Sequence, residues 1–284
     1  MAPIYSKPTI AKSENFPEIN IVSGSVSRQV PNPAIELATW RRAGKVSTIM
    51  ARIPLEDNFT DIIAKAQRGL AISDEDLAKR AEISVADLAA LKRGEPLAAV
   101  LRRVARHLRL SPDALEVIML KTWYPSQPNF PTGFAAFNTA FDDITVNSYL
   151  VWDGRTKQAA AFDTGANCDA VLDTIAAERL KLVYIFVTHT HEDHIADLPK
   201  LAGATNAEIW SHELEPVAFP NAKTFKENAH FHVGPLAIKT LLTSGHSPGM
   251  STFYITGLSW PLAVVGDAIF SGSMGGSPTH FQQQ

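Results

Sequence analysis

The chain has 284 residues, of which 45% are hydrophobic and 19% are charged, and its formal net charge is −3. These values are ordinary for a globular protein of about two domains, and they exclude a general attraction to nucleic acid or to an anionic membrane. The single cysteine, Cys168, excludes an internal disulfide framework and a thiolate-rich metal site.

The N-terminal residues contain no basic cluster followed by an apolar stretch, and no apolar run approaches the roughly 20 residues of a membrane span. We therefore expect a cytoplasmic protein without a membrane partner. Six prolines are scattered over residues 1–55, where no hydrophobic period is sustained. This composition predicts an irregular N-terminal arm, in which short apolar pieces such as residues 19–22 are strands or extended segments.

Residues 56–123 have the pattern of short amphipathic helices. Ser73 and Ser84 precede two helical runs as predicted N-caps, and Ser111 followed by Pro112 begins a further helix. The run at 76–94, followed by residues 101–115, resembles the helix-turn-helix module of the Cro/repressor type. By this resemblance, the helix after Ser84 would enter the major groove of DNA.

Charge and side-chain type bear on whether this module binds DNA. The first residues of the second helix contain no Arg, Asn or Gln to contact base edges: they are Val85, Ala86, Asp87 and Ala89. The basic cluster of the module could bind phosphates, face solvent or contact an acidic partner: Arg102, Arg103, Arg106 and Arg109. The sequence thus supports DNA as a partner only weakly, and a docking or homodimerisation role for the module is favoured.

A proline-rich stretch at 124–131 separates this module from a third region, at 130–284. Predicted strands lie at 146–152, 158–162, 182–187, 208–210, 231–242, 251–255 and 262–265, and predicted helices lie at 168–179 and 196–201. Strands that alternate with helices, and then follow one another closely, predict a layered α/β domain.

Four residues of metal-ligand type follow the predicted strand at 182–187: His189, His191, Asp193 and His194. A loop that leaves a buried strand can turn several side chains towards one point, as a transition metal requires. His189 and His191 can share one side of an extended segment, while Asp193 and His194 can face a neighbouring position. The spacing therefore favours two metal ions over one; the alternative is a solvated polar loop.

Two later segments place further ligands after predicted strands. His246 lies in the turn Gly245–Gly249, and Asp267 follows the strand at 262–265. Together, residues 188–197, 245–249 and 266–270 resemble the metallo-β-lactamase superfamily, and within it the glyoxalase II-like hydrolases. Residues 147–151 and 162–165 are similar to the early strands of those hydrolases, so that the likeness extends over about residues 134–275.

This resemblance implies an αββα sandwich that hydrolyses a thioester or related ester with a metal-bound hydroxide. It further implies a first metal ion held by His189, His191 and His246, and a second held by Asp193 and His194, with Asp267 between them. Asp193 would also orient the hydroxide or take its proton. The implied cofactor is one or two Zn²⁺ ions, and Fe²⁺ is a second candidate.

The remaining histidines differ from the family pattern. In that pattern a further ligand of the second metal follows the position of Asp267 by a few tens of residues, whereas His280 here matches no ligand motif. We therefore expect either a truncated chain or an incomplete second site, in a sandwich that lacks its usual C-terminal part. His212 is a candidate for the pocket wall, and His230 and His232 are expected on a solvent-facing strand edge.

Two alternative functions follow from the same residues. Persulfide dioxygenases resemble the same superfamily and hold one Fe(II) ion with two histidines and one aspartate, which would be His189, His246 and Asp267. The chain could instead be a DNA-binding regulator that senses a ligand through a degenerate metal domain. The metal content separates the dioxygenase from the hydrolase, and a band shift at low salt tests the regulator.

Overall fold

The structure, a computed structural model, describes residues 20–22, 55–126, 129–142 and 144–277. Apart from strand β1 (Asn20–Val22), the predicted N-terminal arm up to residue 54 lies outside the described residues, and so does His280. Among the described residues, none of the helices has the length and apolar character needed to cross a membrane.

Five helices form a cluster ahead of the sheets: α1 (Phe59–Gly69), α2 (Asp74–Ala81), α3 (Val85–Lys92), α4 (Ala98–His107) and α5 (Pro112–Met119). The side chains of Ser73, Ser84 and Ser111 accept backbone N–H groups at the starts of α2, α3 and α5, where the sequence predicts N-caps. Completely buried leucines and an isoleucine form the core of the cluster: Ile63, Leu77, Leu88, Leu91 and Leu101. The likeness of this cluster to a helix-turn-helix module stays a prediction.

Two of the four clustered arginines bind partners within the helical cluster. Arg102 forms ion pairs with Asp113 and Glu116 of α5. Arg103 donates to the backbone carbonyl of Glu82 at 3.1 Å. These contacts compete with DNA phosphates for both guanidinium groups. They therefore weaken the case that the four arginines contact DNA.

The residues after 130 form two sheets. The first has six strands, hydrogen-bonded in chain order: β2 (Phe134–Phe141), β3 (Ile144–Trp152), β4 (Gln158–Phe162), β5 (Lys181–Phe186), β6 (Glu208–His212) and β7 (Lys223–Phe225). Strands β2 to β4 are antiparallel, and β4 to β7 are parallel. Parallel neighbours need crossover connections, which contain α6 (Asp169–Glu178), α7 (Glu192–Ile195) and α8 (Leu198–Thr205).

The second sheet combines β1 with four later strands: β8 (His230–Val233), β9 (Leu236–Leu242), β10 (Ser251–Thr256) and β11 (Leu262–Val264). Its order is β1–β11–β10–β9–β8, and β1 pairs with β11 in parallel. Residues 20–22 therefore form an edge strand of this sheet, which is one of the two outcomes expected for that apolar piece.

The core lies between the two sheets and beneath the crossover helices. Phe253 of the second sheet contacts Phe162 and Phe186 of the first, with ring centroids 5.2 and 5.0 Å apart. The other face of the first sheet packs against the crossover helices through Leu150, Ile185, Val171, Leu198 and Leu201. The crossover helices and the two sheets form three of the four layers predicted for the αββα sandwich. Among the described residues after 130, no helices form a layer on the outer face of the second sheet.

Four local features of the structure differ from the predictions. The single strand predicted at 231–242 is the hairpin β8–β9, because the turn at Gly234 interrupts it. Gly234 has φ +58°, and a Cβ there would lie 2.4 Å from Thr156 Oγ1, so this turn requires glycine. Strand β2 is rich in alanine, which is depleted in strands, and β7 has only three residues, so neither is predicted. The helix predicted at 196–201 is α8, which starts at Leu198 and extends to Thr205.

Candidate metal centre

Three segments that leave the sheets bring the predicted ligands together. The first follows β5 and continues through α7, and it carries His189, His191 and His194. The second is the loop between β9 and β10 with His246, and the third is the 3₁₀ turn Gly266–Ala268 with Asp267. Because each segment follows a strand of the packed sheets, ligands far apart in sequence meet at one edge of the sandwich.

The first group of ligands consists of three histidines. His191 Nδ1 lies 3.0 Å from His189 Nε2 and 2.8 Å from His246 Nε2. Two nitrogens bound to one zinc ion at 2.0–2.1 Å in tetrahedral geometry are about 3.3 Å apart. The three ring nitrogens therefore have nearly the spacing of ligands to a single metal ion.

Hydrogen bonds determine which ring nitrogens have free lone pairs. Thr188 Oγ1 donates to Asp163 Oδ2 at 2.8 Å, so it can only accept from His189 Nδ1, which lies 3.0 Å away. His246 Nδ1 donates to the carbonyl of Gly276 at 2.8 Å. Both histidines thus direct an unprotonated Nε2 into the cluster, in the way that metal-binding histidines are oriented by partners on the other nitrogen.

The second group consists of His189, His194 and Asp267. His194 Nδ1 donates to Asp163 Oδ2 at 2.8 Å, which leaves Nε2 to bind either a proton or a metal ion. This buried Nε2 has no well-formed hydrogen bond with any described residue, although Asp267 Oδ1 lies 3.3 Å and Asp193 Oδ2 lies 3.6 Å away. Since the other Asp267 oxygen is 3.6 Å from His246 Nε2, Asp267 faces both groups.

The donor set fits a divalent cation. A buried lone pair without a partner is costly, and crowded imidazole lone pairs repel one another unless a cation or a proton lies between them. Imidazole and carboxylate donors suit zinc and also Fe(II). Five of the six predicted ligands belong to the two groups of three, and the sixth, Asp193, approaches the second group beside His194. The assignment of these residues as metal ligands stays a prediction.

Burial and neighbouring charges shift the pKa values of these residues. Burial opposes ionisation of Asp267, yet the surrounding histidines, His194 above all, hold its pKa well below the usual range. Burial lowers the pKa of His189 and of His246, so both imidazoles are neutral at pH 7. Burial also acts to lower the pKa of His194, but Asp163 and Asp267 raise it well above the usual value. A proton and a metal ion therefore compete for His194 Nε2.

Asp163 holds the centre together, a role that the sequence does not predict. It is buried, and its carboxylate accepts from Thr188 N at 2.7 Å, from Thr188 Oγ1 at 2.8 Å and from His194 Nδ1 at 2.8 Å. Its φ of +58° is uncommon for a residue other than glycine, and aspartate tolerates it better than most. Locally, Asp163 is simply the residue that ends β4, and its partners are 25 and 31 residues away.

We expect Asp163→Asn to weaken metal binding by about 10- to 100-fold, because partners on the far nitrogen orient ligand histidines. The asparagine amide cannot accept all three of the hydrogen bonds that the carboxylate accepts. Competition of the protein with a chelating dye for Zn²⁺ measures the affinity. The control is Asp173→Asn on the exposed face of α6, and equal affinities of the two variants would contradict the role of Asp163.

Glu215 is a second residue that the sequence does not predict, and it connects two ligand loops. Its Oε1 accepts from Thr190 N at 2.8 Å and from Thr190 Oγ1 at 3.0 Å, between two of the histidines. Its Oε2 accepts from Ser247 Oγ at 2.6 Å and from Gly249 N at 2.9 Å, beside His246. Burial opposes ionisation, yet these hydrogen bonds, that of Ser247 foremost, lower the pKa of Glu215. An ionised carboxylate thus holds the two loops at a set distance.

A third supporting segment, residues 275–277, packs against the ligands. A Cβ on Gly275 would lie 1.9 Å from the carbonyl oxygen of Asp267 and 3.0 Å from His246 Nδ1, so only glycine fits there. The carbonyl of Gly276 accepts from His246, and Ser277 Oγ donates to the carbonyl of Gly245. Close packing of this segment explains why His246 has a defined ring orientation.

The other histidines among the described residues lie outside the two ligand groups. His212 is buried, accepts from Leu214 N at 3.2 Å and packs against the ring of Phe225, which favours a structural role over a place in the pocket wall. His230 and His232 are exposed on β8, as predicted for a solvent-facing strand edge.

Comparison with known proteins agrees with this arrangement. The sequence profile of the metallo-beta-lactamase superfamily matches residues 142–280. An uncharacterized protein of Aquifex aeolicus is 30% identical over 151 residues, which cover 46% of this chain and 69% of that protein. A probable metallo-hydrolase of Bacillus subtilis is 26% identical over 151 residues, covering 46% of this chain and 70% of the relative.

Hydroxyacylglutathione hydrolases are also among the relatives. The one from Rhodobacter capsulatus is 32% identical over 137 residues, which cover 46% of this chain and 51% of the hydrolase. The chain therefore spans about half the length of that relative. The profile match covers strands β3 to β11, the crossover helices and all three ligand segments, so this chain belongs to the metallo-beta-lactamase superfamily through the domain at residues 142–280.

Proposed function

We propose that this domain hydrolyses a thioester or related activated ester, in the manner of a hydroxyacylglutathione hydrolase. The observation that carries the proposal is the pair of three-ligand groups, which share His189 and are both faced by Asp267. Relatives named as a metallo-hydrolase and as hydroxyacylglutathione hydrolases support the reaction type and the substrate class.

The residues have separate tasks in this proposal. His189, His191 and His246 hold one divalent cation, and His194 with Asp267 and Asp193 hold a second. Such cations, when bound, acidify a water molecule and polarise the substrate carbonyl. Asp193 is partly exposed, with 14% of its side chain accessible, so its Oδ2 can accept a proton from the attacking water. The water oxygen adds to the acyl carbon and opens its C=O bond to give a tetrahedral adduct. Collapse of this adduct restores the C=O bond and breaks the C–S bond, and the proton held by Asp193 passes to the leaving thiolate.

An iron-dependent persulfide dioxygenase is the alternative with the same fold. It would use only His189, His246 and Asp267. Each of these residues belongs to at least one of the two three-ligand groups, and His246 Nε2 lies 3.6 Å from Asp267 Oδ2. The hydrolase is favoured because His191 Nδ1 lies within 3.0 Å of Nε2 of both other histidines. A third imidazole at this spacing completes a three-histidine site, whereas the dioxygenase needs that position open for oxygen and substrate.

Removal and restoration of the metal tests the proposal. We expect protein stripped by a chelator to release thiol from a hydroxyacylglutathione thioester at least about 10³-fold more slowly than zinc-loaded protein, because both the nucleophile and the carbonyl activation are lost. Added Zn²⁺ should restore the rate. Thiol release that is unaffected by stripping would contradict the proposal, and so would zinc-loaded protein that cleaves neither thioesters nor oxygen esters.

A further inference from the structure

A cavity of about 680 Å³ lies between the helical cluster and residues 270–277, the segment whose end supports the metal centre. This volume is within the range of about 300–1,000 Å³ that is typical of ligand sites in proteins. Apolar side chains line both sides of the cavity: Ile62, Ala66, Leu70 and Leu108 from the helical cluster, and Phe270 and Met274 from the opposite segment. The cavity can therefore enclose an apolar chain.

Direct contacts hold the two sides of the cavity together. Lys65 of α1 donates from Nζ to the carbonyl of Met274 at 3.0 Å, and the same Nζ lies 5.1 Å from the centroid of the Phe270 ring. Within the opposite segment, Phe270 N donates to the carbonyl of Ser273 at 3.0 Å. The cavity is therefore a formed part of the fold, with a wall that continues into the segment beside His246.

Two polar groups of the cavity have no partner among the described residues. Ser273 lines the cavity, and its Oγ is buried and makes no hydrogen bond. Arg109 lines the cavity and is exposed, so it lies at the mouth, where it forms no ion pair with a described residue.

The charges around the cavity favour an anion. None of the described residues that line it is acidic. The charge of Lys65 is already balanced by Asp57, whose Oδ2 lies 2.7 Å from Nζ, so Arg109 is the cation left for a ligand. A buried hydroxyl without a partner is rare in folded proteins because it is costly. A ligand with a negatively charged oxygen would satisfy both Arg109 and Ser273.

We propose that this cavity binds an amphipathic anion, an apolar chain that carries a carboxylate or phosphate group. The chain lies between the apolar side chains of the two walls, Arg109 pairs with the anionic group, and Ser273 Oγ donates to one of its oxygens. The anion is either a part of the substrate or a separate molecule, since both offer the same chemistry to the cavity. The site thus goes beyond the proposed hydrolysis and gives the helical cluster a role in ligand binding.

Calorimetric titration of the full-length protein with decanoate tests the site without reference to turnover. We expect saturable binding of one molecule per chain, both to zinc-loaded and to metal-free protein, because no metal ion takes part. Butyrate should bind at least about 100-fold more weakly, since each buried methylene contributes roughly 4-fold in affinity. Decylamine, which has the same chain length and the opposite charge, should bind at least about 10-fold more weakly than decanoate.

Two variants locate the anionic group. Arg109→Gln should lower the affinity for decanoate by about 10-fold or more, and Ser273→Ala by roughly 2- to 10-fold. Because Ser273 Oγ makes no hydrogen bond in the free protein, Ser273→Ala should leave the Tm without decanoate unchanged and reduce the rise in Tm that decanoate causes. The matched control is Arg106→Gln, an exposed arginine of α4 outside the cavity wall, which should bind decanoate like the wild type.

Steady-state kinetics of thioester hydrolysis distinguishes the two sources of the anion. Competitive inhibition by decanoate would support the proposal with the cavity as a subsite for the substrate, whereas binding that leaves KM unchanged would support it with a separate ligand. Absence of saturable decanoate binding, or equal affinities of the wild type and of folded Arg109→Gln, would overturn the proposal. Because the titration uses no substrate, a failure of thioester hydrolysis would leave this result standing, and the converse also holds.

Discussion

His246→Ala is expected to remove the first metal ion and to lower thioester hydrolysis by roughly 10³-fold or more. His246 is the one predicted ligand on the β9–β10 loop, and its Nε2 completes the three-histidine group at 2.8 Å from His191 Nδ1. Without it, His189 and His191 are two ligands, which is fewer than the three protein ligands of catalytic zinc sites. Metal content after dialysis and the rate of thiol release measure the two effects.

The matched control for this variant is His232→Ala, which removes an exposed imidazole from β8. We expect this variant to keep the metal content and the turnover of the wild type, because substitutions of exposed residues outside the core and the ligand groups usually have small effects. If His246→Ala retained full metal content, the assignment of His246 as a ligand would be wrong.

Glu215→Gln is expected to lower the free energy of unfolding of the metal-free protein by about 2–6 kcal/mol. The carboxylate accepts four hydrogen bonds from Thr190, Ser247 and Gly249. A glutamine NH₂ group would face two of these donors and leave them unsatisfied, which costs roughly 1–3 kcal/mol for each buried group. Since the two ligand loops lose their connection, the affinity for the first metal ion should also fall by about 10- to 100-fold.

Denaturant unfolding at several pH values checks the origin of this effect. In the folded state the pKa of Glu215 is lowered below the ordinary value of a glutamate side chain. Its stabilisation is therefore fully present above pH about 4.5, which is the unfolded pKa, and is lost as the pH falls through the lower folded pKa. The difference between wild type and variant should be largest near pH 7 and should shrink in acid. Glu213→Gln, an exposed neighbour, is the control, and an equal loss of stability in both variants would contradict the role of Glu215.

The sequence predicts those parts of the site that local patterns encode. The strand β5 and the ligands after it are recognisable because an apolar, β-branched run is followed by closely spaced histidines. His246 and Asp267 carry less local information, since a histidine in a glycine-rich turn and an aspartate after a strand are each common. Their roles as ligands are implied by the resemblance of the three motifs, in this order, to the metallo-β-lactamase superfamily. The structure places both residues beside the histidines after β5.

The supporting residues could not be predicted because their roles exist only in the folded chain. Asp163 and Glu215 are ordinary acidic residues in their local sequence, one at the end of a strand and the other in a loop. What distinguishes them is contact with residues distant in the chain. Glu215, for example, accepts from Gly249 N, which lies 34 positions further along the chain. The hairpin β8–β9 differs from these residues, because Gly234-Pro235 is a local turn signal that divides the strand predicted at 231–242.

The metal content of the purified wild-type protein, measured for zinc and iron by mass spectrometry, tests the central claim most directly. The ligand groups around His189 and Asp267 predict one or two zinc ions per chain, with iron at trace level. Protein that binds no divalent metal would contradict the metal centre itself. One iron per chain without zinc would contradict the hydrolase and favour the dioxygenase that uses His189, His246 and Asp267.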